Sequence, residues 1–333
     1  MGQTLSEPVT TKKTACCRND NFRVGSSSMQ GWRVSMEDSH VHILSLPDDP
    51  GTAFFGVYDG HGGAAISQHI SKHLHEYITN RIEYQNGNIS LAIQKAFLEL
   101  DKDMQHESIL REKQAGSTAI TLLIKDNILY SANAGDSRAV ACVRGHSVPL
   151  SLDHKPNLVL EKKRIEAAGG WVELGRVNRH LALSRAFGDF MFKQNNRKTQ
   201  EEQIVTVLPD VKEFELTEDW EFLILACDGI WDVMKNQDVV KFVRSRLAAC
   251  QQKIDGDQEQ KFVDPEEICE ELLKHCLAPD VLMEIGCDNM TVVLVCLLHG
   301  KPYSHLVTKC QQPPAESVFN SIGDASTILE SCI

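Results

Sequence analysis

Three apolar runs in this sequence end on an acid. Val57-Tyr58 leads into Asp59-Gly60, Leu223 through Cys227 into Asp228-Gly229, and Ser131 through Gly135 into Asp136. A carboxylate just past a buried strand is costly unless something cationic meets it, so three such ends read as acids aimed at one place. Glu37 and Asp38 in RVSMED, Asp232 four residues after Asp228, and Asp288-Asn289 ahead of MTVVLVCLL extend the set. Clustered carboxylates with few histidines among them are hard oxygen donors, suited to Mg2+ or Mn2+ rather than Zn2+. Gly60 lets the backbone come close to an ion and offer its carbonyl, while Gly62 and Gly63 permit a sharp exit into a helix near Ala64. Any one Asp-Gly pair alone is an ordinary turn; the coincidence of several is what points to a metal centre.

The elements that must position these acids are short and β-rich. AFFGVY, STAITLLI, ILYSANA, RAVACVR, IVTVLP, FLILAC and MTVVLVCLL recur between residues 22 and 298. KDN and RGH join neighbouring runs, which makes them hairpins and the sheet largely antiparallel. Helical spacing appears in blocks: Ile66, Ile70, Leu74 and Ile78, then Ile93, Phe97 and Leu100. Asp264-Pro265-Glu266-Glu267 reads as an N-cap, a first-turn proline and first-turn acids, and Asn236 as the cap of a helix through Val239, Val240 and Val243. Hairpin strands with segregated helices predict an α+β fold, a layered sandwich with helices covering stacked sheets.

Composition excludes several classes. The chain has 333 residues with 42% apolar side chains and a formal net charge of −12, enough for a sizeable core and wrong for a phosphate-binding nucleic-acid surface. Eleven cysteines without a CxxC pair or a secretory leader point to reduced thiols in a cytoplasmic or nuclear setting. No window is apolar enough to span a bilayer. Met1-Gly2-Gln3-Thr4-Leu5-Ser6 fits N-myristoylation at Gly2. One acyl chain gives only weak membrane association; Lys12, Lys13, Arg18, Cys16 and Cys17 could add a second signal or form a solvated tail.

The ordered motifs RVSMED (33–38), DGHGG (59–63), GSTA (116–119), GDSR (135–138), DHKP (153–156), LSRAFGD (183–189), DGIWD (228–232) and Asp288-Asn289 are similar to those of the metal-dependent protein serine/threonine phosphatases, the type 2C family, across residues 22 to 298. The resemblance implies a four-layer αββα fold with a central antiparallel β-sandwich and a binuclear Mg2+/Mn2+ centre at one end. It implies that Asp59 bridges both ions, that Asp228 and Asp288 hold one, and that Glu37 and the Gly60 carbonyl serve the other, partly through water, with Asp38 counted among the metal residues. Asp136, Asp232 and Asp228 resemble a third, weaker metal site. Two such ions, about 3.5–4 Å apart, would acidify a bridging water for in-line attack on phosphorus. Arg33 resembles the phosphate clamp, and His61 the group that protonates the departing seryl or threonyl oxygen. The implied partners are phosphoserine and phosphothreonine proteins, met by a monomer.

The expected organisation is a tail over 1–21, a catalytic domain over 22–299 with a flap at about 165–203, and a weakly ordered tail over 300–333. Residues 190–203 are polar and turn-rich and read as a mobile loop. Arg179-His180 stands in the flap where family members commonly carry a glycine after the asparagine, which bears on flap conformation and substrate preference. Cys17 and Arg23 match the spacing of cysteine-dependent phosphatases, but RNDNF between them has no glycine to cradle phosphate. His69 and His73 lie one helical turn apart, a zinc pair only if further ligands joined Glu76. The rival functions are a non-catalytic phosphoprotein-binding scaffold on the same fold, disfavoured by the presence of Asp59, Asp228 and Asp288, and a nucleic-acid phosphodiesterase, disfavoured by the acidic balance.

Overall fold

The computed structural model describes residues 4–107, 110, 114–249, 262–283 and 285–316. Two antiparallel sheets face each other. One has six strands in the order Thr4–Arg18, Phe22–Arg33, Met290–Leu297, Trp220–Ala226, Arg138–Val143 and His146–Pro149. The other has five, in the order Asp210–Glu215, Ile128–Ala134, Ala119–Lys125, Ala53–Tyr58 and Ser39–Ile43. The turns behind the two hairpins carry left-handed residues, Asp126 with Asn127 and Arg144 with Gly145, which matches the twist of tightly linked strands.

Side chains alternate between two cores, which is why the strands read as unbroken apolar runs. Phe55, Val57, Leu223, Leu225, Val293 and Val295 meet between the sheets. Phe54 and Tyr58 point the other way, onto the helices Ala65–Thr79 and Ile89–His106. Phe222, Ile224, Val292 and Leu294 point onto the helices Asn236–Ala248, Pro265–Cys276 and Tyr303–Gln311. The result is the α+β, four-layer αββα arrangement.

Several local expectations are corrected. Residues 4–18 are not a loose tail: they form an edge strand paired with Phe22–Arg33 through Cys17↔Val24 and Thr4↔Arg33. The turn is held by Asn19, whose Oδ1 accepts the backbone N–H groups of Asn21 and Phe22. Residues 303–311 are likewise helical, because Tyr303, Leu306, Val307 and Cys310 supply an apolar face that buries against the sheet. IVTVLP is not a strand; only Thr206 bridges, to Arg185, and the strand begins at Asp210. Residues 190–203 form hydrogen-bonded turns around Gln203, whose Nε2 donates to the carbonyls of Asn195, Lys198 and Thr199. Asp264 precedes Pro265 as expected, but its carboxylate pairs with Arg23 instead of capping. Asn236 accepts a bond from Arg138 at 2.5 Å, and Lys235 occupies the cap position. Gly2 and residues 317–333 lie outside the described residues.

Candidate metal centre and active site

The acid-ended strands all terminate at the same end of the sandwich. Asp59 follows Ala53–Tyr58 and is fixed by a reciprocal pair with Thr118: its N–H donates to Thr118 Oγ1 at 3.1 Å, and Thr118 N–H donates to its carbonyl at 2.9 Å. Asp228 opens the single helical turn Asp228–Trp231 after Trp220–Ala226, with Asp232 one turn on and exposed. Asp136 follows Ile128–Ala134 and is buried; it accepts Lys155 Nζ at 2.5 Å. Asp288 precedes Met290–Leu297 and pairs with Arg33.

The electrostatics follow from this crowding. Burial, then repulsion from Asp228, Asp38, Asp288 and Asp136, holds the Asp59 carboxyl far above the ordinary aspartate range. Burial, then Asp136, Asp288 and Asp232, does the same to Asp228. Asp38 is pushed up to about 7, chiefly by burial, although Thr291 donates to its Oδ2 at 2.7 Å. Its other oxygen, Oδ1, is buried and has no hydrogen-bond partner in the structure. Oxygen or sulfur atoms of Asp38, Asp59 and Cys227 lie within 4.8 Å of one another. Such a set of unbalanced oxygens fits hard divalent cations, which would offset the repulsion.

Glu37 lies beside this cluster with both oxygens engaged, Oε1 by Ser35 Oγ at 2.7 Å and Oε2 by the Gly63 N–H at 3.0 Å. Gly60 has a reason beyond ion approach: a side chain there would collide with the Glu37 carbonyl. Gly62 and Gly63 take positive φ, as the exit into the helix requires. His61 is half-buried. Burial lowers its affinity for a proton, but the Asp189 carboxylate, 2.7 Å from Nε2, outweighs this, and the net shift is upward.

Asp189, Asn289 and Thr118 complete the site and carry no role in the sequence reading. Asp189 had the same signal as the others, an acid ending the run Ala186-Phe187-Gly188. Asn289 ties three segments: it accepts Glu37 N–H at 2.9 Å and donates to the carbonyls of Gln30 and Ser35. Cys17 sits on the edge strand, 3.2 Å from His42, with its thiol pushed up to about 11 by burial. That suppresses the thiolate a nucleophile needs. The rings of His69 and His73 lie 4.7 Å apart and tilted by 47° on the helix Ala65–Thr79, with half-buried His73 3.4 Å from Glu76. Arg179 takes a left-handed conformation and pairs with Glu173 beside the two-stranded hairpin Val172–Glu173 and Arg176–Val177. Among the described residues the cysteines are free thiols, and no helix is long and apolar enough to cross a membrane.

The family model Protein phosphatase 2C matches residues 22–284. A probable protein phosphatase 2C of Caenorhabditis elegans is 56% identical over 330 residues, 98% of this chain and 89% of that one. A protein phosphatase 2C homolog of Schizosaccharomyces pombe is 45% identical over 307 residues, 90% of this chain and 80% of that one. A crystal structure of a phosphatase from Toxoplasma gondii superimposes with a TM-score of 0.70 at 28% identity, over 86% of this chain and 96% of that one. With the acids gathered at the end of its sandwich, the chain belongs to the protein phosphatase 2C family, the metal-dependent protein serine/threonine phosphatases.

Proposed function

We propose that residues 22–299 act as one catalytic domain that hydrolyses phosphoserine and phosphothreonine in proteins at a centre of two Mg2+ or Mn2+ ions. The convergence of Asp38, Asp59, Asp136, Asp228 and Asp288, each raising the proton affinity of its neighbours, carries this reading. Asp59 is suited to bridge, Asp228 and Asp288 to hold one ion, and Glu37 with the Gly60 carbonyl to serve the other. Asp38 would join this ligand set, its Oδ2 held by the bond from Thr291 and its unpartnered Oδ1 available to an ion. Asp136 and Asp232, with Asp228, would hold a third, weaker ion. When bound, divalent ions supply an acidified water and offset the charge of the phosphoryl group.

The chain's own groups do the rest. Arg33 stands half-exposed at the lip of the cluster, paired with Asp288, where its fork can grip two phosphate oxygens. His61 delivers a proton to the departing seryl or threonyl oxygen. Myristoylation at Gly2 would give a weak membrane association to an otherwise cytoplasmic or nuclear monomer.

Hydrolysis of a phosphothreonine peptide tests the reading: activity in Mn2+ should vanish with chelator and survive Cys17→Ser. Equal rates with chelator, or loss in Cys17→Ser alone, would reject it, and retained peptide binding without turnover would favour the scaffold. Arg33→Ala should lower kcat/KM roughly 10- to 150-fold, the loss of a charged hydrogen-bonding contact of about 1.5–3 kcal/mol. Arg33→Lys should recover only part, because an ammonium lacks the fork.

A further inference from the structure

We propose that Asp189 is the positioning residue for His61: it holds the imidazole by Nε2 and thereby presents Nδ1 to the leaving oxygen. The inference rests on His61 as the proton donor and deepens that assignment. It begins with a three-stranded patch. Gly60-His61 pairs with Gly116-Ser117, which pairs in turn with Phe187-Gly188, so that His61 and Gly188 both stand opposite Gly116. Asp189 follows at once, and its carboxylate reaches across Gly116 to His61 Nε2 at 2.7 Å.

Three features hold Asp189 in place. Its backbone is left-handed, φ 48° and ψ 39°, an uncommon conformation for a residue other than glycine. Its N–H donates to the Ala115 carbonyl at 3.0 Å, and its own carbonyl accepts Phe192 N–H at 2.9 Å. Behind it, buried Asp101 accepts Gly188 N–H at 2.8 Å and Lys193 Nζ at 2.7 Å, pinning the turn from both sides. Asp189 itself is 7% exposed, so its carboxylate has no water shell to compete with the imidazole. Gly116 leaves the space for the contact: a methyl group there would overlap both Asp189 Oδ2 and His61 Nε2.

The proton accounting follows. With Nε2–H donated to Asp189, the other ring nitrogen, Nδ1, carries the proton that moves. As the phosphorus–oxygen bond breaks, its electron pair stays on the seryl or threonyl oxygen, which takes the Nδ1 proton. The imidazole is left neutral, still donating Nε2–H to Asp189, and regains its proton from water.

The discriminating experiment varies the leaving group in the Mn2+-loaded enzyme. An alkyl ester, a phosphothreonine peptide, needs the proton; 2,4-dinitrophenyl phosphate departs as a stable anion and does not. Asp189→Asn and Gly116→Ala should each lower kcat on the peptide by about 10- to 100-fold, part of what general acid catalysis supplies. Both should leave kcat on the aryl ester within about threefold, since metal binding and attack on phosphorus do not use the pair. The double variant His61→Gln/Asp189→Asn should be no slower on the peptide than His61→Gln alone, because residues acting as a unit are not additive. Equal losses on both substrates in Asp189→Asn and Gly116→Ala, or additive losses in the double variant, would overturn the inference. If His61→Gln itself loses equally on both substrates, the proton-donor reading fails instead.

Discussion

Asp228→Asn is expected to lower kcat on a phosphothreonine peptide by about 10²–10³-fold in Mn2+, the scale seen when one electrostatic group of a catalytic site is removed. In chelator the same variant is expected to melt a few degrees above the wild type at pH 7.5. Both effects have one cause. Asp228 sits with Asp59, Asp136 and Asp288 in a partly buried cluster where each carboxylate repels the next. A divalent ion turns that repulsion into attraction, and without it the charges only destabilise the fold. The sign follows from the raised values. The folded-state pKa of Asp38 is about 7 against 3.8 for the free side chain, and those of Asp59 and Asp228 are raised in the same direction. Groups with raised values favour the fold fully below pH 3.8 and lose that contribution as pH rises through about 7. Chelated wild-type protein should therefore lose this part of its stability between pH 4 and 8, with a shallower loss in the variant. Mn2+ should restore the wild type by mass action. Thermal melts across pH, with and without chelator, measure this. A variant that melts lower than wild type in chelator would mean that Asp228 is a structural acid.

How much of this is legible in the sequence depends on whether a feature is local. The sandwich is legible because Phe54-Phe55 and Leu223 to Leu225 face two apolar cores at once, and only strands buried on both faces read as unbroken runs. The site acids are legible for a related reason: a charge at the end of such a run needs a partner, and strand ends gather at the ends of sheets. The misread segments depend on distant partners. Residues 4–18 carry Lys, Arg and Thr in place of an apolar pattern, because an edge strand is half wet. What makes them a strand is the open edge of Phe22–Arg33. The Asp264 carboxylate is drawn off its cap by Arg23, 241 residues away in sequence. Asp189 is hidden because its partner, His61, is 128 residues away and the contact needs Gly116 between them. IVTVLP has strand composition, but its apolar residues Val205 and Ile204 pack with Ile165 and Val177 instead of extending a sheet.

Glu161 is one of the carboxylates that tie the segment 165–203 to the rest of the chain, beside Asp101 and Asp189, and its removal gives the second large effect. Glu161, on the helix Val159–Ala167, is 4% exposed. It accepts Arg164 Nη1 at 2.7 Å, Arg185 Nη2 at 2.7 Å and Ser184 Oγ at 2.5 Å. Arg185 continues outward to the Leu208 carbonyl at 2.9 Å and to Asp210 at 2.8 Å, on the first residue of an edge strand. Glu161→Gln keeps the shape and removes the charge, leaving two guanidinium groups buried against an amide. Breaking one side of a buried pair typically costs about 3–5 kcal/mol; here Arg185 keeps Asp210 and Arg164 keeps the carbonyls of Gln203 and Ser184, so the loss should fall at the lower end of that range. Burial alone would raise the Glu161 pKa, but the bonds and charges of Arg185 and Arg164 overcome it and bring it down to about 2 from 4.5. A lowered value means that the contribution is fully present above pH 4.5 and lost as pH falls towards 2. The gap in melting temperature between wild type and Glu161→Gln should therefore be largest near pH 7 and shrink below pH 4.5. Limited proteolysis at pH 7 should cut the variant within residues 158–203 before the sandwich, since the flap has its own small core around Ile165, Val177, Ala186 and Val205. A pH-independent gap, or first cleavage in the sandwich, would show that the carboxylate does not anchor the flap.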